Sequence, residues 1–358
     1  MNKLIKNAGI FSVFLLIVIG TYAYLGRNDD QPVGPVVVAL VEANEELSFR
    51  GLHATDDTVV AVGGNKGVFG MSLNGGFHWI FTQIPGADSS NFRSVYAHDA
   101  QRFTLVSAGA PSYIYRTTNG GSHWERTFVD TAAATFLDAV VFADDSLGWV
   151  FGDPVDGYFK LLQTVDGGAT WVEARGPEAI DGEAGFAASG SAMCYANDTL
   201  FIASGGTVAR LHYSADSGAT WSARPLTLNQ GMPSQGAFAL DVHSGTITVV
   251  GGDYMLDSNE VNTVVQGSVK QLEAPFFALP YCSDVSYNAA GHRLFVGTRG
   301  VYLFDGSLQQ LDTTAMHAAV FTGDRWILSG PGGRVGTVFS GTHLELEQFT
   351  DRITRAKH

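Results

Sequence analysis

Apolar residues in this chain come in short runs, and most of the runs stop on a small-residue kink. The pattern VVAVGG (59–64) returns as TLVSAG (104–109), GWVFGD (148–153), LFIASG (200–205), TVVGGD (248–253), RLFVGT (293–298) and RWILSG (325–330). Alternating or continuous apolar runs of this length predict half-buried or buried strands. A second strand-like segment precedes each one: FRGLHA (49–54), FRSVYA (92–97), FLDAVVF (136–142), GFAASG (185–190), FALDV (238–242), YCSDVSY (281–287) and MHAAVF (316–321). Residues 49–340 thus divide into seven units of about 42 residues, the length of a four-stranded propeller blade.

Between these runs, four octapeptides repeat one polar pattern. SLNGGFHW ends at Trp79, TTNGGSHW at Trp124, TVDGGATW at Trp171 and SADSGATW at Trp221. Four of the six tryptophans fall in this slot, spaced by 45, 47 and 50 residues, so the repetition is structural. Asn74, Asn119, Asp166 and Asp216 are expected to hydrogen-bond amides two residues on. Gly76, Gly121, Gly168 and Gly218 supply the positive φ that a tight hairpin requires. Each Trp then wedges between neighbouring sheets. The expected fold is all-β: a seven-bladed β-propeller over residues 36–345, closed by pairing residues 36–41 with residues 335–339.

The start of the chain breaks the pattern. Lys3 and Lys6 precede an uncharged stretch from residue 7 to residue 26, about the ~20 residues that span a bilayer. Residues 1–26 read as a signal peptide cut after Ala23 or as an uncleaved membrane anchor. Either reading exports the bulk of the chain, which is then periplasmic, secreted or held at the membrane. Residues 27–35 read as a linker and 346–358 as a C-terminal tail.

Composition narrows the function classes. With 45% hydrophobic and 16% charged residues the chain buries a core, and its 43 glycines suit many tight turns. Net charge is −14, which argues against a nucleic-acid partner, because non-specific nucleic-acid affinity comes mainly from Lys and Arg. Two cysteines, Cys194 and Cys282, make no disulfide framework and read as free buried thiols in separate blades. The histidines show no metal-ligand spacing, so no metal and no cofactor are expected.

The octapeptides resemble the Asp-box, or bacterial neuraminidase repeat. From about residue 45 to residue 340 the chain resembles the photosystem II stability/assembly factor-like family of Asp-box β-propellers, in its non-photosynthetic bacterial branch, whose members are often labelled oxidoreductase. The resemblance rests on SFRGLH (48–53), the repeated Phe92-Arg93, GDPVDG (152–157) and GEAGFAASG (182–190). It implies a monomeric, non-enzymatic scaffold that docks a protein or peptide client, such as a membrane protein, during assembly or stabilisation of a membrane or envelope complex. It also implies an arginine-bearing docking surface near the channel. The matching inner-strand slot holds Arg50 and Arg93, followed by Leu137, Ala187, Ala239, Cys282 and His317.

Arg50, Arg93, Asp153, Glu183 and His317 are accordingly the expected client contacts. The segments 152–157, 181–191 and 252–262 depart from the blade pattern and mark one loop-rich face. The runner-up is a sialidase-like glycosyl hydrolase or glycan-binding propeller, with Tyr96, Asp153 or Glu183 beside the two arginines. Against it, Phe49-Arg50 is followed by Gly51-Leu52 and not by Ile-Pro. An oxidoreductase has no residue-level support.

Overall fold

The computed structural model describes residues 32–42, 44–56 and 58–355. Among them, strands dominate and one helix, His343–Arg355, follows the last strand. The first repeat shows the construction. Phe49–Ala54, Val60–Gly64, Val68–Ser72 and Ile80–Gln83 form an antiparallel sheet in chain order. Successive side chains point to opposite faces, yet Val60, Ala61 and Val62 are all buried, so this sheet needs cover on both sides.

Neighbouring sheets supply the cover. Five sheets are four-stranded and one is nine-stranded. The large one consists of two four-stranded units, beginning at Met193–Ala196 and Gln235–His243, together with the two-residue strand Glu183–Ala184. Gly205 and Gly236 make the only pairing between them, and a Cβ on Gly205 would lie 2.5 Å from the Gly236 Cα. Seven four-stranded units result. Their first strands, Phe49–Ala54, Asn91–Ala97, Leu137–Phe142, Met193–Ala196, Gln235–His243, Asp284–Tyr287 and Ala318–Thr322, each pack on the next, and the last packs on the first.

The core is accordingly spread over the interfaces between sheets. Phe69 and Ile84 of the first unit meet Phe92, Phe103 and Leu105 of the second. Trp149 and Phe151 of the third meet Leu200 and Ile202 of the fourth, and the Trp149 ring stacks on Tyr195 at 5.5 Å. Each such side chain contributes about 1.5–3 kcal/mol on burial.

The octapeptide turns repeat one hydrogen-bond scheme. Ser72 Oγ accepts the Gly76 N–H at 2.8 Å and Asn74 Oδ1 accepts the His78 N–H at 2.8 Å. Thr117 and Asn119, Thr164 and Asp166, and Ser214 and Asp216 do the same in their own turns. The Asn or Asp therefore reaches the amide four residues on, not two, because the hydroxyl residue occupies the nearer site. Gly76 needs its φ of +90° for this path. The indole N–H of Trp79 closes onto the Gly76 carbonyl at 2.7 Å.

The ring closes between the first and last described strands. Pro32–Glu42 runs antiparallel to Arg334–Thr342, with Val36 opposite Phe339 and Val41 opposite Val335. The strand thus starts at Pro32, inside the segment read as a linker. The segment read as a tail belongs largely to the helix, whose Phe349 packs against Phe339 at 5.0 Å and Phe77 at 5.2 Å. Residues 1–26 lie outside the described residues. Among the described residues, no helix is long and apolar enough to cross a membrane.

A second correction concerns the fourth unit. GFAASG (185–190) was expected to be its innermost strand, but that place is taken by Met193–Ala196, and residues 185–190 form no strand.

Removal of residues 32–42 strips the outer edge from Arg334–Thr342 and uncovers Val335 and Val338. Several apolar side chains lose their cover, so the thermal midpoint followed by circular dichroism should fall by about 10 °C or more. An unchanged midpoint would show that this strand does not close the ring.

Candidate functional site

Four of the inner strands share a bulge at the same place. Phe49 pairs with Gly64 and Gly51 with Gly63, which leaves Arg50 as the extra residue. The same shift leaves Arg93 between Phe92 and Ser94, Asp138 between Leu137 and Ala139, and Phe238 between Ala237 and Ala239. A bulge re-aims the unpaired side chain, and here the four converge on the hub of the ring. The slot lies one residue from the expected place in three units, holding Asp138 and not Leu137 in the third and Phe238 and not Ala239 in the fifth. In the sixth unit Cys282 faces the core, while Tyr281 joins the hub, its ring edge-on to Phe238 at 5.0 Å.

His317 comes from the seventh unit, its Nε2 3.1 Å from Ser48 Oγ. Burial, with the Arg50 and Arg93 charges nearby, holds its pKa down at about 3, so it is neutral. The fourth unit contributes main chain. Arg50 Nη1 donates to the Ala188 carbonyl at 3.0 Å, and Arg93 Nη1 reaches the Ala187 carbonyl at 3.4 Å. Phe186 stacks on Phe238 with ring centroids 4.0 Å apart. Residues 185–190 therefore cross the hub as a strap.

The carboxylates under this strap are unusual. Asp138 is fully buried, and neither of its oxygens has a hydrogen-bond partner among the described residues. Burial, with Asp153 close by, raises its pKa well above the ordinary range, and Arg93 only partly offsets this. Asp153 is also raised by burial, although it accepts the Gly185 N–H at 2.8 Å. Arg93 Nε has no partner either. Each such buried, unsatisfied group costs about 1–3 kcal/mol. The sequence reading missed Asp138; its repeat position one residue after Leu137 was the only signal.

Glu183 is not part of this cluster. It sits in a polar knot inside the fourth unit, taking Arg210 Nε at 3.0 Å, His212 Nε2 at 2.9 Å, the Ile180 N–H at 2.9 Å and the Ser204 hydroxyl. Burial opposes ionisation, but His212, Arg210, Ile180 and Ser204 outweigh it and hold the carboxylate at about 2. Tyr96 is also elsewhere, its ring against His53 at 4.1 Å and Phe142 at 4.9 Å. Cys194 and Cys282 are free thiols whose pKa values burial raises. Among the described residues, no group of three or more His, Cys, Asp or Glu side chains is placed to hold a metal ion.

Beside the hub, the loop between Thr246–Asp253 and Val264–Ser268 exposes Tyr254, Met255, Leu256 and Val261. It is tied to its neighbours by Asn229 Nδ2 on the Val261 carbonyl at 2.9 Å and by the Tyr281 N–H on the Asp257 carbonyl at 3.1 Å. An apolar lip thus stands next to the buried Phe238 and Tyr281 and the half-buried Phe186.

A ring of radially packed four-stranded sheets around a polar hub defines the class, and comparison with solved structures agrees: the chain is a β-propeller. Virginiamycin B lyase from Staphylococcus aureus, in a catalytically inactive form with quinupristin, is similar over 85% of this chain and 99% of its own, with a TM-score of 0.65 at 11% identity. YCF48 bound to D1 peptide is similar over 86% of this chain and 95% of its own, with a TM-score of 0.60 at 10% identity. A GH74 enzyme from Niastella koreensis is similar over 83% of this chain and 44% of its own, with a TM-score of 0.55 at 14% identity. Identities this low show the fold alone. No protein-family model and no curated protein matches the sequence.

The Glu183 knot makes a pH prediction. Its pKa lies below the unfolded value, so its contribution is present above about pH 4.5 and is lost as the pH falls toward 2. Glu183→Gln should cost on the order of 3 kcal/mol at pH 7 by urea denaturation and flatten the loss of stability between pH 5 and 2. An acid limb as steep as that of the unaltered protein would place the linkage on other groups.

Proposed function

We propose that this chain is a non-enzymatic, monomeric propeller scaffold whose hub holds an extended segment of a protein client. The observation that carries this reading is what Arg50 and Arg93 do: both donate to main-chain carbonyls. Main-chain carbonyls are presented by any extended polypeptide, so a hub built to grip them suits a peptide better than a small solute. An apolar lip beside the opening adds surface for the client's side chains. A propeller of similar fold, YCF48, is bound to D1 peptide, which is consistent with a peptide client for this architecture.

The proposal includes export. Residues 1–26 carry the basic start and the uncharged stretch of a signal or anchor, which directs the propeller to an envelope compartment and toward a membrane or envelope complex. A client there would be a membrane protein or its exposed tail.

Capture from solubilised membranes tests this. The intact propeller should retain a discrete partner, and Arg50→Glu with Arg93→Glu should lower its recovery about tenfold or more. Equal recovery by the double variant would remove the hub as the docking surface.

One observation favours a second reading as a glycosyl hydrolase. Asp138 and Asp153 are neighbouring carboxyls with raised pKa values beside Arg93, and a raised carboxyl is what a general acid needs. The scaffold reading expects no turnover of fluorogenic glycosides. Turnover abolished by Asp138→Asn would establish the hydrolase instead.

A further inference from the structure

The strap lies in the hub in the manner of a ligand. None of residues 185–190 makes a backbone–backbone hydrogen bond among the described residues, although strands surround them. Side chains of other units hold them instead: Asp153 takes the Gly185 N–H, Arg93 reaches Ala187 and Arg50 holds Ala188. Both ends are fastened outside the hub. On one side Glu183 and Ala184 pair with Gly206 and Gly205; on the other, the Ser191 carbonyl accepts the Leu240 N–H at 2.9 Å. The segment between can therefore leave the hub without dismantling the fourth sheet.

The shape of the seat is specific. Phe186 is received by the face of Phe238, whose ring in turn meets the edge of Tyr281. On either side of the aromatic there is room only for small residues. A Cβ on Gly185 would come 2.4 Å from Asp138 Oδ2, and one on Gly190 would come 2.9 Å from Ser94 Oγ. The fit is also incomplete, because Arg93 Nε and both Asp138 oxygens are buried without partners. A segment that engaged them would hold the hub better than the strap does.

Resting on the reading of the hub as a peptide site, we infer that residues 185–190 are an internal stand-in for the client, which is an extended peptide with an aromatic side chain followed by two small residues. The strap is tethered and competes at high effective concentration, so it sets the affinity a client must exceed. Displacement exposes Arg50, Arg93, Asp138 and Asp153 together.

A labelled synthetic peptide AGFAASGS, copied from residues 184–191, tests the inference by fluorescence anisotropy. Phe186→Ala weakens the strap, so this variant should bind the peptide at least tenfold more tightly than the unaltered protein. AGAAASGS should not bind, and adding Arg50→Ala to the variant should reduce binding about tenfold. A Phe186→Ala protein that melts cooperatively and ignores the peptide overturns the inference, as does binding indifferent to Arg50. Hydrogen–deuterium exchange on the unaltered protein gives a second measure that needs no variant. Amides 186–190 should exchange at least a hundredfold faster than those of Thr199–Gly206, and equal protection overturns a displaceable strap. A membrane-derived partner that binds without changing exchange at 186–190 overturns the stand-in but leaves the client reading standing. Peptide binding to the variant, with no partner retained from membranes, supports the stand-in and counts against the client reading alone.

Discussion

The structure depends on a geometric constraint: each of its small sheets is apolar on both faces and can be covered only by another copy of itself. A linear stack would leave two faces bare, whereas a ring leaves none, so closure is a condition of stability. Closure falls on the pairing of Pro32–Glu42 with Arg334–Thr342, which joins the first and last described strands in one sheet. The same demand brings the seven first strands edge to edge around the axis. Strands that diverge from an axis cannot form ladders with each other, and their amides need other acceptors. Side chains meet the need. Ser94 Oγ accepts the Val140 N–H at 3.0 Å, Asp241 Oδ2 the Tyr287 N–H at 2.8 Å, and Asp284 Oδ2 the Ala319 N–H at 2.9 Å.

These acceptors show how strongly the interior constrains charge. Burial pushes Asp284 up to about 8 and Asp241 up to about 6, even though each takes two backbone donors. Glu183 is as deeply placed, but a guanidinium and an imidazole face it, and its pKa moves the other way. Carboxyls of one ring thus take opposite directions according to whether or not a cation hydrogen-bonds to them. Asp138 has Arg93 nearby but, among the described residues, takes a hydrogen bond from neither a cation nor an amide, which makes it the least satisfied carboxyl at the hub.

The hub follows from the bulges. Without the extra residue in four of the inner strands, Arg50, Arg93, Asp138 and Phe238 would continue the alternation of their strands and not converge. With it, distant parts of the chain contribute single side chains to one small volume. The strap then fills that volume with carbonyls and an aromatic ring, so the residues of greatest chemical interest lie under cover.

What the sequence determined by itself was local. The Ser/Thr–Asn/Asp–Gly–Trp turns close on bonds within one octapeptide, and the apolar runs declare strands through their own periodicity, so the repeat, the all-β class and the closing strand were legible. Arg50, Arg93, Asp153 and His317 were picked out as site residues, and the structure brings them to the hub. Only the tertiary structure decided the rest. Whether Leu137 or Asp138 faces the hub depends on a one-residue register shift set by pairing with the next strand, and a one-residue shift reverses which face a side chain occupies. GFAASG looks like a strand in isolation, but its small residues fit a crowded crossing that exists only once all seven units surround it. Glu183, charged and near the loop-rich face, carried no sign that Arg210, His212 and Ser204 would fold back around it. Signals confined to a few neighbouring residues survive in one dimension, whereas convergence of residues from separate units is created by the ring.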